Sequence, residues 1–178
     1  MTKNPNDEEF GIRPGELAIA LPARFDAGLY FIGRIRTPWK TRTECPKNPR
    51  QAGAAVCTIE LDERYARALE GIDAFSHLVV LYFMDRARRD LVVQVPRHLG
   101  EARGTFALRS PVRPNPVALS VAKLLKREGT KLSVTGLDCL DGTPLIDLKP
   151  YFPPLDAAGG KKAKRLRKSA RRKRAGKP

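Results

Sequence analysis

The chain has 178 residues, 42% of them hydrophobic, and a formal net charge of +15; that is material for one core of roughly 150 residues plus tails. Eleven of its lysines and arginines fall in residues 161–178, which hold no acid, leaving about +4 for the body. This argues against a uniformly basic, nucleic-acid-coating fold.

Three cysteines (Cys45, Cys57, Cys139) lack any Cys-x-x-Cys spacing, and the two histidines (His77, His98) have no companion at ligand spacing. A zinc site and a disulfide framework are therefore not expected, and a reducing compartment is. The N-terminus has no apolar h-region, and no apolar run approaches the ~20 residues of a membrane span. A cytoplasmic protein without membrane or metal is the expectation.

Residues 1–15 are polar and read as a flexible N-terminus. Residues 30–36 (Tyr-Phe-Ile-Gly-Arg-Ile-Arg) read as a strand ended by Thr37-Pro38, and residues 37–54 as a long Pro- and cation-rich loop of functional type. Residues 56–61 read as a strand, and residues 62–69 as a short helix stopped by Gly71. Residues 76–84 are the most apolar segment. They lack alternation, which predicts a strand buried on both faces, with the core inside and a partner subunit outside.

Further strands are predicted over 91–95, 104–108, 117–126, 131–137 and 145–148, with Leu132 and Val134 on one face of the fourth. The fold class expected is mainly β: a small single-sheet β-barrel over residues 16–156, with short helices and a disordered basic tail over 157–178.

Residues 109–116 (Arg-Ser-Pro-Val-Arg-Pro-Asn-Pro) form a loop stiffened by three prolines, which restrict their own φ and the residue before each. Arg109 and Arg113 offer planar donor forks to a carboxylate or phosphate, or pair with surface acids. Asp138 and Asp141 flank Cys139 and Leu140, and Asp141-Gly142 has the composition of a hairpin turn. Their carboxylates either accept from ribose hydroxyls, an adenine amine or an ammonium, or shape the turn. Pro49 presets the chain before Arg50 and Gln51, which reach a ligand or lie in a solvated loop. His77 precedes the apolar strand, and Asp85-Arg86 ends it at a barrel rim. No glycine-rich phosphate loop is present. The tail suits phosphate backbones through counterion release; solubilisation or an anionic membrane surface are its other readings.

Together these pieces resemble the TsaA-like/TrmO family, which includes YaeB- and VirR-type proteins. The matching motifs are Ile32-Gly33…Thr37-Pro38, Pro49-Arg50-Gln51, residues 69–77, residues 109–116 and Leu137-Asp-Cys-Leu-Asp-Gly-Thr-Pro…Asp147-Leu-Lys-Pro-Tyr151, in the family's order. The resemblance implies a barrel that binds S-adenosylmethionine, forms a homodimer and N6-methylates threonylcarbamoyladenosine 3′ of a tRNA anticodon. It implies cofactor contacts at Pro49, Arg50, Gln51, Arg109, Leu119, Asp138, Cys139, Leu140 and Asp141, and at Asp85 and Arg86, where the residues differ from the family's. Ala118 stands where the family usually has Gly, and the basic tail stands in place of the C-terminal domain of longer members. Methyl transfer to a urea-flanked nitrogen is helped by a base, for which Asp138, Lys149 and Tyr151 are the candidates because they lie on or near the cofactor turn, with His77 behind them. The other functions weighed are an S-adenosylmethionine-binding, RNA-associated module without turnover, and a methyltransferase with another substrate.

Overall fold

The structure is a computed structural model and describes residues 11–47, 53, 55–97 and 99–156. Nine strands occur among the described residues: β1 (Leu17–Ala18), β2 (Gly33–Arg36), β3 (Val56–Leu61), β4 (His77–Phe83), β5 (Leu91–Gln94), β6 (Arg103–Gly104), β7 (Val117–Glu128), β8 (Lys131–Thr135) and β9 (Thr143–Pro150). Six of them close into an antiparallel barrel in the order β2-β3-β8-β7-β4-β9. Period-two alternation turns Ile35, Cys57, Ile59, Val80, Leu132, Val134 and Leu145 into one interior, where each is fully or almost fully buried. Each such side chain contributes about 1.5–3 kcal/mol by leaving water. β2 and β3 cross so closely at Gly33 that a Cβ there would stand 2.1 Å from the Glu60 carbonyl oxygen.

The apolar 76–84 segment forms β4. Its inward residues Leu78, Val80 and Tyr82 are sealed, whereas outward Leu81 and Phe83 are only half-buried. On the neighbouring β7, outward Val117, Leu119, Val121 and Leu125 are 39–47% exposed. The predicted helix over 62–69 is a 3-10 helix, Glu63–Leu69, whose Leu69 plugs one barrel end.

Two expectations are corrected. The strand predicted over 104–108 pairs only at Arg103–Gly104, and Thr105–Ala107 turn into a 3-10 helix. The buried Thr105 hydroxyl donates to the Leu91 carbonyl (2.8 Å) and so replaces ladder bonding with a side-chain bond. β5 and β6 also leave the barrel and join β1 in a separate three-stranded sheet.

Nor is Asp141-Gly142 a hairpin turn, because β8 and β9 are not neighbours. Residues 136–142 instead cross the open end of the barrel, with Leu137 and Cys139 fully buried beneath them. Gly136 begins the crossing at φ 92°, a conformation that favours glycine.

No helix among the described residues is long and apolar enough to cross a membrane.

Candidate functional site

Antiparallel alternation decides where the motifs gather. β2, β4 and β8 end, and β3, β7 and β9 begin, at the same barrel end. The connections 37–55, 84–116 and 136–142 therefore share one rim. They carry the 109–116 loop, Asp85-Arg86 and the 138–141 stretch; Pro49, Arg50 and Gln51 belong to the first connection but lie outside the described residues.

On the crossing segment, side chains alternate between core and rim. Asp138 is partly buried, and its Oδ1 accepts the Tyr82 hydroxyl at 2.9 Å. Desolvation by burial raises its pKa, an effect that the Tyr82 bond, a main-chain bond and the nearby Arg109 charge partly oppose. The main-chain N–H of Asp138 itself is a further donor to this carboxylate.

Asp141 is spent differently. Its Oδ1 accepts the Thr37 N–H (3.1 Å) and its Oδ2 the Lys40 ammonium (2.6 Å), which hold its pKa below the usual carboxylate range. Thr37 Oγ1 also donates to the Cys139 carbonyl (3.0 Å), and the Cys45 thiol to the Asp138 carbonyl. Asp141 thus ties the 37–55 connection to the crossing segment. Cys139 and Leu140 offer the rim main-chain groups rather than side-chain chemistry, since the Cys139 thiol is sealed in the core and pushed up by burial.

The two arginines of the 109–116 loop also part company. Arg113 is half-buried and turned back on its own loop, reaching the carbonyls of Leu108 and Ser110. Arg109 is exposed and donates from Nη2 to the carbonyl of Leu119 (3.2 Å). Its remaining donors face the rim beside Leu119, which is 47% exposed. From behind, buried Gln94 donates to the Val112 carbonyl (2.6 Å) and to Thr105 Oγ1 (2.8 Å). Arg89 adds bonds to Pro114 O (2.6 Å) and Asn115 Oδ1 (3.2 Å). Asp85 and Arg86 are exposed in the turn after β4.

Lys149 and Tyr151 do not join this group. β9 runs away from the rim, and four residues of strand from Leu145 to Lys149 span about 13 Å. Lys149 pairs with Asp147 (2.7 Å), which raises its pKa and keeps it protonated. Tyr151 donates its N–H to the His77 carbonyl at the far end, so His77 is distant as well. A hollow of about 480 Å³ opens at that far end, lined by Ile32, Leu61, Tyr65, Leu69, Ile72, Phe75 and Leu148 among others. Its apolar walls and self-paired Asp147 and Lys149 lack the rim's unengaged donors and acceptors. Among the described residues no cluster of His, Cys, Asp and Glu could hold a metal.

Sequence reasoning passed over Tyr82, Ser120, Gln94, Arg89 and Cys45. The first two carried a signal: they are hydroxyl residues in inward-facing series otherwise made of Leu78 and Val80 on β4 and Ala118 and Ala122 on β7.

The chain is similar to several known proteins. It is 48% identical over 139 residues to the probable S-adenosyl-L-methionine-binding protein VirR of Rhizobium radiobacter, covering 78% of this chain and 79% of that one. It is 37% identical over 132 residues to the tRNA (adenine(37)-N6)-methyltransferase of Escherichia coli, covering 68% of this chain but only 56% of that protein. The crystal structure of TrmO from Pseudomonas aeruginosa superposes with a TM-score of 0.64 at 35% identity, over 78% of this chain and 61% of that one. The chain thus spans little more than half of the E. coli enzyme and about three fifths of that structure. The family profile described as the tRNA-methyltransferase O N-terminal domain matches residues 34–157. That span contains all of the barrel except its first residue, Gly33, and every rim residue described above, and the chain belongs to this family.

Proposed function

We propose that the rim binds S-adenosylmethionine and that the protein is a tRNA methyltransferase acting on N6 of threonylcarbamoyladenosine 3′ of the anticodon. The observation that carries this reading is Asp138, a partly buried carboxylate at the rim whose Oδ1 is held by Tyr82 and which feels the charge of Arg109. The donor set fits the cofactor. Arg109 suits a carboxylate, Asp138 suits a hydroxyl, amine or ammonium, and exposed Leu119 offers apolar surface to a ring or thioether arm. The names of the relatives support the same reading.

When bound, S-adenosylmethionine supplies a methyl group on a sulfonium. The chain's own residues hold and align the reactants, a contribution of about 7–11 kcal/mol where geometry is right. Asp138 would accept the N6 proton as the methyl group leaves sulfur, which becomes a neutral thioether, for nitrogen, with acceleration of roughly 10²–10⁴. Lys149, kept protonated by Asp147, is a poor base, and it and Tyr151 are too far from the rim within one chain. Residues 161–178 supply eleven cations for the tRNA backbone. The exposed outer face of β7 with Leu81 and Phe83 of β4 is the surface through which a homodimer would form. The working compartment in this reading is the cytoplasm.

The test is transfer of labelled methyl from S-adenosylmethionine to tRNA with and without the threonylcarbamoyl group. Transfer confined to the modified tRNA is expected. Cofactor binding with no transfer to either tRNA would leave a binding module, and no binding at all would overturn the reading.

A further inference from the structure

Inside the barrel a polar chain runs against the apolar grain. Ser120 Oγ lies 3.0 Å from Tyr82 Oη, and Tyr82 donates to Asp138 Oδ1 at 2.9 Å. Tyr82 and Ser120 are 2% and 4% exposed, on adjacent strands where Tyr82 pairs with Ala118 and Ser120 with Val80, two register positions apart on the same face. An ionised carboxylate only accepts, so the one phenolic proton goes to Asp138. Ser120 must then donate to the phenol oxygen. The direction of the chain is thereby fixed: Ser120 to Tyr82 to Asp138. Two buried hydroxyls among methyl groups are costly unless paired, and this pairing satisfies both.

We propose that Tyr82, held by Ser120, is a positioning residue that fixes the Asp138 carboxylate at the rim through Oδ1 and so sets the orientation in which it meets the ligand. The proposal rests on the function proposed above, in which Asp138 receives a proton. Tyr82 and Ser120 grow from rigid barrel strands, while Asp138 lies on an irregular segment. A crossing segment with only main-chain ties leaves the carboxyl's χ angles free. The hydroxyl chain refers them to the barrel wall.

Among the described residues, the charged and titratable groups facing Asp138 are Tyr82 from β4, Arg109 from the 109–116 loop, Cys45 from the 37–55 connection and Cys139 from its own segment. Burial pushes the Cys45 thiol up to about 11 and raises Cys139 and Tyr82 as well, so these three stay neutral near pH 7. Asp138 is the group among them that titrates on the acid side. The Tyr82 bond favours its charged form, so removing that bond raises its midpoint.

The experiment uses the full chain and the Tyr82→Phe variant, with Ser120→Ala as a second, smaller lesion. The Asp138 carboxyl is titrated by 13C NMR without ligand, its signal assigned by loss in Asp138→Asn. The pH profile of kcat/KM for methyl transfer is measured alongside. The expected result is an upward shift of the Asp138 midpoint in Tyr82→Phe and an equal upward shift of the acid limb. A roughly tenfold fall in kcat at pH 7 should accompany them, as for loss of one charged hydrogen bond. Ser120→Ala should move both the same way by less. An unmoved midpoint overturns the proposal, and so does a moved midpoint with an unmoved acid limb. If wild type transfers no methyl group while the midpoint still shifts in Tyr82→Phe, the Tyr82–Asp138 coupling stands and the proposed function falls.

Discussion

Arg109 and Leu119 meet across the mouth of the 109–116 loop: the guanidinium Nη2 of the first donates to the main-chain carbonyl of the second at 3.2 Å. This bond aims an exposed arginine at the rim without consuming its other donors. Arg109→Ala should therefore weaken S-adenosylmethionine binding about 10- to 100-fold, the range of a lost charge-assisted contact. The melting temperature should move little, because the side chain is exposed. Calorimetric titration of both proteins, with thermal melts beside it, checks this; unchanged affinity would remove Arg109 from the site.

Asp138→Asn should trade activity for stability. The substitution keeps an acceptor for Tyr82 but removes the base, so methyl transfer should fall by about 10²–10⁴. The carboxyl's pKa is raised in the folded state, so the native form binds protons more readily than the unfolded one there, and stability is lost as pH rises through that range. The variant's stability gain should thus be absent below the unfolded carboxyl pKa and complete above the folded one. Melts at pH 3.5 and pH 8 measure it, at roughly 2–4 °C per kcal/mol for a protein of this size.

Gln94 has one amide nitrogen shared between Val112 O and Thr105 Oγ1, both within the loop's support. Gln94→Ala leaves the Val112 carbonyl without this donor, a loss of about 1–3 kcal/mol. Chemical denaturation should show that drop. Cofactor affinity should fall with it as the loop loosens, while kcat at saturating cofactor changes less. Affinity that survives the destabilisation would separate the loop from the ligand.

Gly33→Ala should be the most damaging single methyl in the barrel. Its Cβ would meet the Glu60 carbonyl at 2.1 Å and Leu61 Cα at 2.8 Å, both main-chain atoms that cannot swing aside. A cost on the order of 3–5 kcal/mol follows, read as a large fall in denaturation midpoint or as insoluble expression.

Deleting residues 161–178 should raise KM for tRNA and flatten its salt dependence, with kcat similar, because eleven cations release counterions without touching the reacting atoms. A large fall in kcat at unchanged KM would sink that role. Initial rates at several salt concentrations decide it.

The barrel was legible where local pattern and tertiary environment agree. β3 spans the predicted residues, and the alternation of Leu132 and Val134 placed both in the core. It was illegible where a long-range bond overrode local preference, as at Thr105, whose hydroxyl answers to Leu91 and Gln94. Asp141-Gly142 misled for another reason. Its composition suits a hairpin, but strand order is decided by pairings far apart in sequence. Likewise, closeness in sequence suggested that Lys149 and Tyr151 stand beside Asp138, whereas a strand carries residues away at about 3.3 Å each. Asp138 itself was found from the motif. Its support by Tyr82 needed β4 and β7 laid side by side.

The barrel closes by pairing its first strand, β2, with its last, β9, and the crossing segment that carries Asp138 leads directly into that last strand. During synthesis the rim therefore cannot exist until the chain through residue 150 has cleared the ribosome and found a partner made more than a hundred residues earlier. A nascent chain halted before β9 holds the Arg109 loop but neither a closed barrel nor an anchored carboxylate. Under the proposed function, capture of the cofactor would then report that translation and closure are complete.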